Sequence, residues 1–455
     1  MSVSLAPTLN PAPMPSDVAS DLPSGLNHIA PVRSGAAAPG WFLEKSSAAW
    51  GEFTKLPVPS IKDESWRYSN AKKISLGELH PAAAANEHLE AEAVAASEGL
   101  SGAAGRFVFV NDRLVLSDTV QLPEGVVCLP LEEALQSHSK LLEEHFMKRE
   151  SFLGSAKFAA LHLAHVKAGL VVYVPDNVEL KSPIEVFHWI KGANAAIFPH
   201  SLVITGANAK VTVVDHYRSD DGALAFSCAV SDVIAGIGSE ITYVACQELG
   251  TQGQAMHLSS TTTQKDAKVK SFQAQIGAAF SRTESVSNLV GAGSRSDMLS
   301  ISLPVADQVV DQRTLQRHLA PHTYSDLLYK NALYDRSRAI FSGLIHVFEG
   351  AHYTDAYQTC RNLLNSEEAE ASSMPGLEIN ADQVKCSHGS TSSPVSEEEL
   401  FYLKARGIPD AEARRLIVLG FLQKPVSRLE NDIIEAMIAQ RLDEKFCRVA
   451  EKLVA

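Results

Sequence analysis

Between Leu161 and Ile379 the apolar residues recur mostly at every second position, interrupted by short turn-like clusters. Alternation at period two means strand, because successive side chains point to opposite faces. Within this stretch one pattern returns: Asn208-Ala209-Lys210-Val211, Gly238-Ser239-Glu240-Ile241, Asp266-Ala267-Lys268-Val269 and Gly293-Ser294-Arg295-Ser296. Each is a turn residue, a small residue, a charge and then usually a β-branched residue. The starts lie 30, 28 and 27 residues apart. A repeat of that length, built of strands with no helices between them, predicts a solenoid in which each rung covers its neighbour. An ordinary β-sandwich with similar turns is the competing architecture.

The alternation continues through Leu377 and Ile379 and, after a slip, Val384. The period then changes. Ser396 and Glu399 form an S-x-x-E capping box, followed by Leu400, Phe401 and Leu403, so a helix opens there. A second helix is predicted from Pro409 and Asp410, and helical spacing runs on through Leu429, Ile433, Met437, Leu442 and Phe446. Upstream, Trp41 to Phe53 and Leu131 to Glu150 read as amphipathic helices, Ala82 to Ala104 as a helix or linker, and Phe107 to Leu116 as a hairpin turning at Asn111-Asp112. The fold expected is mainly β. A right-handed parallel β-helix core over 151–395 stands between a mostly helical region, 41–150, and a C-terminal helical domain, 396–455. The Pro-, Ala- and Ser-rich start, 1–40, is expected to be a disordered tail, having too little apolar surface to offset its ordering entropy.

The chain has 455 residues, 45% hydrophobic and 20% charged, which is ordinary globular composition. Forty basic against 53 acidic residues give a net charge of −13, unlike a nucleic-acid binder, which needs a basic face for phosphate. No apolar run is long enough for a membrane helix. The six cysteines, at 128, 228, 246, 360, 386 and 447, include no C-x-x-C pair and read as reduced thiols. The start lacks a secretory pattern, and Asp17 and Asp21 fit poorly with an organelle presequence, so a cytoplasmic location is expected. No P-loop, H-E-x-x-H or G-x-S-x-G is present, so no enzyme chemistry is indicated and no nucleotide is expected to bind this chain. Gly236-Ile237-Gly238 and Gly291-Ala292-Gly293 read as turns, since no helix follows either.

The residues with most chemical interest are Cys386 and His388, two apart at the end of the β stretch and therefore on one face of a strand. A thiolate and an imidazole together suit iron or zinc. Two ligands do not complete a site, however, and a packed Cys beside a hydrogen-bonded His is the plain structural alternative. Cys360 reads first as a small buried residue in a strand.

The run L-E-I-N-A-D-Q-V-K-C-S-H-G-S-T, followed by E-E-E-L-F-Y-L-K-A-R-G-I, resembles the SufB/SufD family in its SufD form. Glu64-Ser65-Trp66-Arg67-Tyr68-Ser69, Val172-Tyr173-Val174-Pro175, Phe341-Ser342-Gly343-Leu344-Ile345-His346-Val347 and Arg361-Asn362-Leu363-Leu364 extend the likeness from about Trp66 to Leu429. The SufB form typically reads E-H-E-A-T where this chain has K-C-S-H-G. Ser390 to Pro394 departs from the usual A-T-x-G continuation. The resemblance implies a non-catalytic β-helical scaffold of a hetero-oligomeric iron–sulfur cluster assembly complex, pairing with SufB and docking the ATPase SufC. It also implies a transient cluster shared with SufB, for which His388 is the first expected ligand or assembly residue and Cys386 the second. Cys360, close to the position of a SufB cysteine, becomes a further thiol able to hold persulfide or iron. Ala411, Arg414, Leu416 and Phe421, in the tail's second helix, are implied in SufC docking. A carbohydrate-active β-helix enzyme and a metal-free β-helix binding protein are the rival readings; the missing export signal counts against the former.

Overall fold

A computed structural model describes residues 25–31, 38–148 and 150–454. The body is a β-solenoid of about eight turns, in which successive strands alternate between two parallel sheets. One sheet ends with Phe280–Leu289, Val309–His318, Arg338–Val347 and Glu370–Ile379. The other ends with Arg295–Ser302, Tyr324–Leu333, Asp355–Leu364 and Lys385–Pro394.

The repeated turn residue is the solenoid's corner. Asn208, Gly238, Asp266 and Gly293 all have positive φ, between 55° and 75°. Asn177 precedes them and His322, Tyr353 and Gln383 follow in the same left-handed conformation. From Asn208 on, each corner lies two residues before a strand of the second sheet. A left-handed backbone is costly for most side chains, and Asn, Asp and Gly tolerate it best. Stacking matters as well: a Cβ on Gly293 would lie 2.2 Å from Asp266 Oδ1 of the previous corner.

The space between the sheets changes character along its length. The early rungs are aliphatic and aromatic, with Val186, Val213, Ile241, Tyr243 and Val269 in one cluster. From Gln273 onward the inward positions are largely Ser, Thr, Gln and Asn, all buried, bonding across the gap as in Gln273 Nε2 to Ser285 Oγ, 3.0 Å. An apolar plug of Met298, Leu327, Tyr329, Phe341 and Cys360 follows.

The two ends differ. The first rungs are closed by antiparallel strands, Arg113–Thr119 on one sheet and Val127–Pro130 on the other. The Arg113–Thr119 strand belongs to the expected hairpin, whose turn residues Asn111 and Asp112 both have positive φ. Among the described residues, the last rung, Glu370–Ile379 and Lys385–Pro394, has no strand beyond it.

Around this body pack the helices. Gly40–Lys55 lies against Ala156–His165, with Trp50 stacked on Phe53 at 5.4 Å. The expected helix 131–150 is instead two short ones, Leu131–Ser137 and Ser139–His145, because His138 leaves helical geometry at φ −125°, ψ 33°. Within the start expected to be a tail, residues 1–24 and 32–37 lie outside the described residues. Leu26, by contrast, is fully buried with Phe53 and Trp66, its N–H donating to the Leu76 carbonyl at 2.9 Å. The C-terminal helices, Glu397–Ala405, Asp410–Ser427 and Asp432–Val454, open at the expected cap, where Ser396 Oγ accepts from the Glu399 N–H at 3.3 Å. Their Val418, Leu422, Ile434 and Leu442 cover the outer face of the second sheet at Phe272, Leu299, Ile301 and Leu328.

Candidate functional site

Cys386 and His388 lie on the last strand, Lys385–Pro394. Strand register pairs Cys386 with Ala356, His388 with Gln358, Ser390 with Cys360 and Ser392 with Asn362. Ala356, Gln358, Cys360 and Asn362 are the buried, inward positions of their strand. Cys386, His388, Ser390 and Ser392 therefore continue the inward columns of the solenoid. With no further rung above them, His388, Ser390 and Ser392 are exposed and Cys386 is half-buried. Across the mouth stand Leu377 and Ile379, 37% and 40% exposed. The site is thus the open end of the solenoid.

Cys386 packs its inner side on the cluster of Ile345, Val347, Ala351 and Ala356. Burial raises its thiol pKa and the Asp355 carboxylate adds to that, while a hydrogen bond with the Ala356 backbone opposes both. Among the described residues there is no group of three or more His, Cys, Asp and Glu side chains that could hold a metal ion. The one imidazole and one thiol on this strand fall short of the three or four protein ligands that a metal cluster needs.

Cys360 lies elsewhere. It is fully buried inside the last closed rung, its Sγ 3.8 Å from Asn331 Nδ2, Asn362 Oδ1 and Ser373 Oγ. Burial pushes its pKa up to about 12, so the thiol is protonated. The residue nearest His388 along its column is Gln358, which the sequence does not single out.

The four tail residues are divided. Leu416, 41% exposed, and Phe421 line one concavity with Tyr402, Leu403, Ile417 and Leu363. Phe421 also anchors the helix, its ring 4.4 Å and its carbonyl 2.6 Å from Lys330 Nζ. Ala411 is exposed outside that concavity, and Arg414 is held by Asp410 at 2.8 Å. Phe401 and Tyr402, 75% and 57% exposed, extend the apolar surface. Their signal was their placement beside Leu400, the buried position of that helix.

Residues 188–421 match the family model described as "SUF system FeS cluster assembly, SufBD core domain", and 41–186 match the "SufBD protein N-terminal region". The chain belongs to the SufBD family. A SufBD family protein of Synechocystis is 28% identical over 400 residues, covering 83% of this chain and 85% of that one. The iron–sulfur cluster assembly protein SufD of Bacillus subtilis is 28% identical over 71% of this chain and 74% of its own length. SufD of Escherichia coli is 26% identical over 85% and 89%. SufBD membership makes this an iron–sulfur cluster assembly protein of the SUF system, and the expectations of family and mainly β solenoid fold stand. An open solenoid end with an unpaired strand suits assembly with another chain.

Proposed function

We propose that this chain is a non-catalytic, SufD-type scaffold subunit that works in the cytoplasm. It pairs with SufB through the open end of the solenoid and docks the ATPase SufC on its C-terminal helices, so that a nascent iron–sulfur cluster is built at the interface with SufB. The observation that carries this reading is the unpaired last strand with His388 and Cys386 on its inward column. A free strand edge presents backbone donors and acceptors to a partner, and Leu377 and Ile379 add apolar surface beside it. His388 supplies an imidazole to the cluster and Cys386 a thiol; the remaining ligands come from SufB. ATP hydrolysis belongs to SufC, docked at Leu416, Phe421, Tyr402 and the adjoining Ala411 and Arg414. No described helix is long and apolar enough to cross a membrane.

The test is anaerobic co-purification with SufB and SufC, followed by cluster reconstitution read by visible absorption and Mössbauer spectra. The combined variant Leu377→Glu/Ile379→Lys is expected to lose SufB while keeping SufC, and Leu416→Glu to do the reverse. His388→Ala is expected to keep both partners and lose the cluster. Retention of SufB by the first variant sinks the docking surface; a full cluster in His388→Ala sinks the ligand.

A further inference from the structure

Directly inside His388, two buried oxygens lack partners. Gln358 is 1% exposed, and its Nε2 donates to the Gly343 carbonyl at 3.3 Å, which fixes the amide with Oε1 turned away from that bond. Among the described residues that Oε1 has no hydrogen-bond partner, and neither has Thr314 Oγ1, itself 1% exposed. Both converge on Gly343: a Cβ there would lie 2.5 Å from Thr314 Oγ1 and 2.7 Å from Gln358 Oε1. The two oxygens are therefore no farther apart than the sum of those distances, and they make no direct bond to each other. One molecule donating two hydrogen bonds of about 2.8 Å spans such a gap. Buried polar groups are almost always satisfied, and a buried pair of acceptors is a common seat for internal water. A glycine at 343 is what lets both oxygens approach, since any side chain would collide with them.

We propose that Thr314, Gly343 and Gln358 form a binding site for one internal water, which bridges Thr314 Oγ1 and Gln358 Oε1 and so holds the Gln358 amide as the floor beneath His388. Water is the ligand the chemistry selects: small, neutral and able to donate twice to two neutral acceptors. Gln358 is then a positioning residue for His388, one strand spacing of about 4.8 Å away along the column. The bearing on cluster assembly rests on the function proposed above, whereas the water site does not.

The experiment uses the full chain without partners, so a failure of SufB pairing leaves its result untouched. A crystal structure resolving solvent is expected to place a water within about 3.2 Å of both oxygens. In Thr314→Val, which keeps the side-chain shape, that water is lost. Thr314 found donating directly to Gln358 Oε1, with no water, overturns the site. For the positioning role, the same crystal structures report the His388 side chain: Gln358→Leu is expected to change its χ1 rotamer, and Gln358→Glu, which keeps the acceptor, to keep both the water and the wild-type rotamer. An unmoved imidazole in Gln358→Leu removes the positioning role, and a water that persists in Thr314→Val removes the bridge.

Discussion

Arg282→Met should be among the most destabilising single changes outside the site. Arg282 is fully buried, with its guanidinium 3.8 Å above the Trp66 ring. Its Nε and Nη2 donate to Glu284 Oε1 at 2.9 and 2.7 Å, and its Nη1 donates to Asp311. Nη2 also reaches the carbonyls of Ser65 and Leu153 at 2.9 and 2.8 Å. Arg313 closes the group through Asp311 and the Arg67 carbonyl. Two cations thus balance two carboxylates, and the same cations fasten two straps of the N-terminal region to the solenoid. Removing Arg282 leaves one carboxylate uncompensated in the interior, a loss of about 3–5 kcal/mol. The stacking on Trp66 contributes about 2 kcal/mol more, though the two overlap. A loss near 4 kcal/mol divided by a urea m-value of about 3 kcal/mol/M lowers the midpoint by roughly 1.3 M. Urea unfolding followed by Trp fluorescence measures this, and limited proteolysis near Ser65 and Leu153 reports whether the straps lift. The double variant Arg282→Met/Glu284→Gln should recover part of the loss, since it removes the stranded charge and leaves Arg313 paired with Asp311. A single variant within about 1 kcal/mol of wild type would refute the charge-balance argument.

Alkylation followed by peptide mapping should label Cys447 first and Cys386 more slowly, with Cys360 far behind both: a pKa near 12 instead of 9.0 leaves about a thousandfold less thiolate at pH 8; Cys360 labelling within tenfold of Cys447 would support it as a sulfur-handling thiol. His188, stacked between Phe109 and Tyr217 with neither ring nitrogen hydrogen-bonded, has its pKa lowered to about 3 by burial and by His216. The unfolded chain therefore takes up a proton that the folded one refuses, and stability falls as pH drops from about 6.5 toward 3. His188→Phe should show a shallower loss over that window in denaturation at stepped pH, and an unchanged slope contradicts the assignment. Gly293→Ala, at φ +75° with Asp266 Oδ1 in the way, should cost about 2 kcal/mol and lower the melting temperature, whereas an unchanged value would mean the corner relaxes freely.

The features legible in the sequence are those set by local backbone chemistry. Asn208, Gly238, Asp266 and Gly293 announce the corners because few other residues accept a left-handed backbone, and Ser396 with Glu399 announces a helix start because the bond between them is local. Lys385-Cys386-Ser387-His388 is also recognisable as the end of the β body. Features needing distant pairing are not legible. His322 and Tyr353 occupy the same corner conformation but do not look like turn residues; their rings stack at 4.7 Å, one rung apart. The polar interior defeats a hydrophobic reading too, since Gln273, Ser300, Gln312 and Ser325 look like surface positions until the register turns them inward. Gln358 is hidden for the same reason: it lies 30 residues before His388, and only the strand pairing brings it beneath that imidazole.

The contrast between the two ends bears most directly on function. This chain closes one end of its solenoid with an antiparallel strand carrying Arg113 and Asp118, an ordinary way to blunt an edge. At the other end a cap was within reach, since three helices follow the last strand after only two residues. Those helices turn away and cover the outer face of the second sheet, held there by Arg428 to Asp297 and Asp326 at 2.6 and 2.8 Å. The last rung keeps Leu377, Ile379 and an unpaired strand in solvent, although a free strand edge invites aggregation. Leaving that end bare is disadvantageous for an isolated chain and useful for one whose rung is completed by a partner. His388 and Cys386 lie on that rung, so under the function proposed above a chain that completed the sheet would also stand beside both side chains.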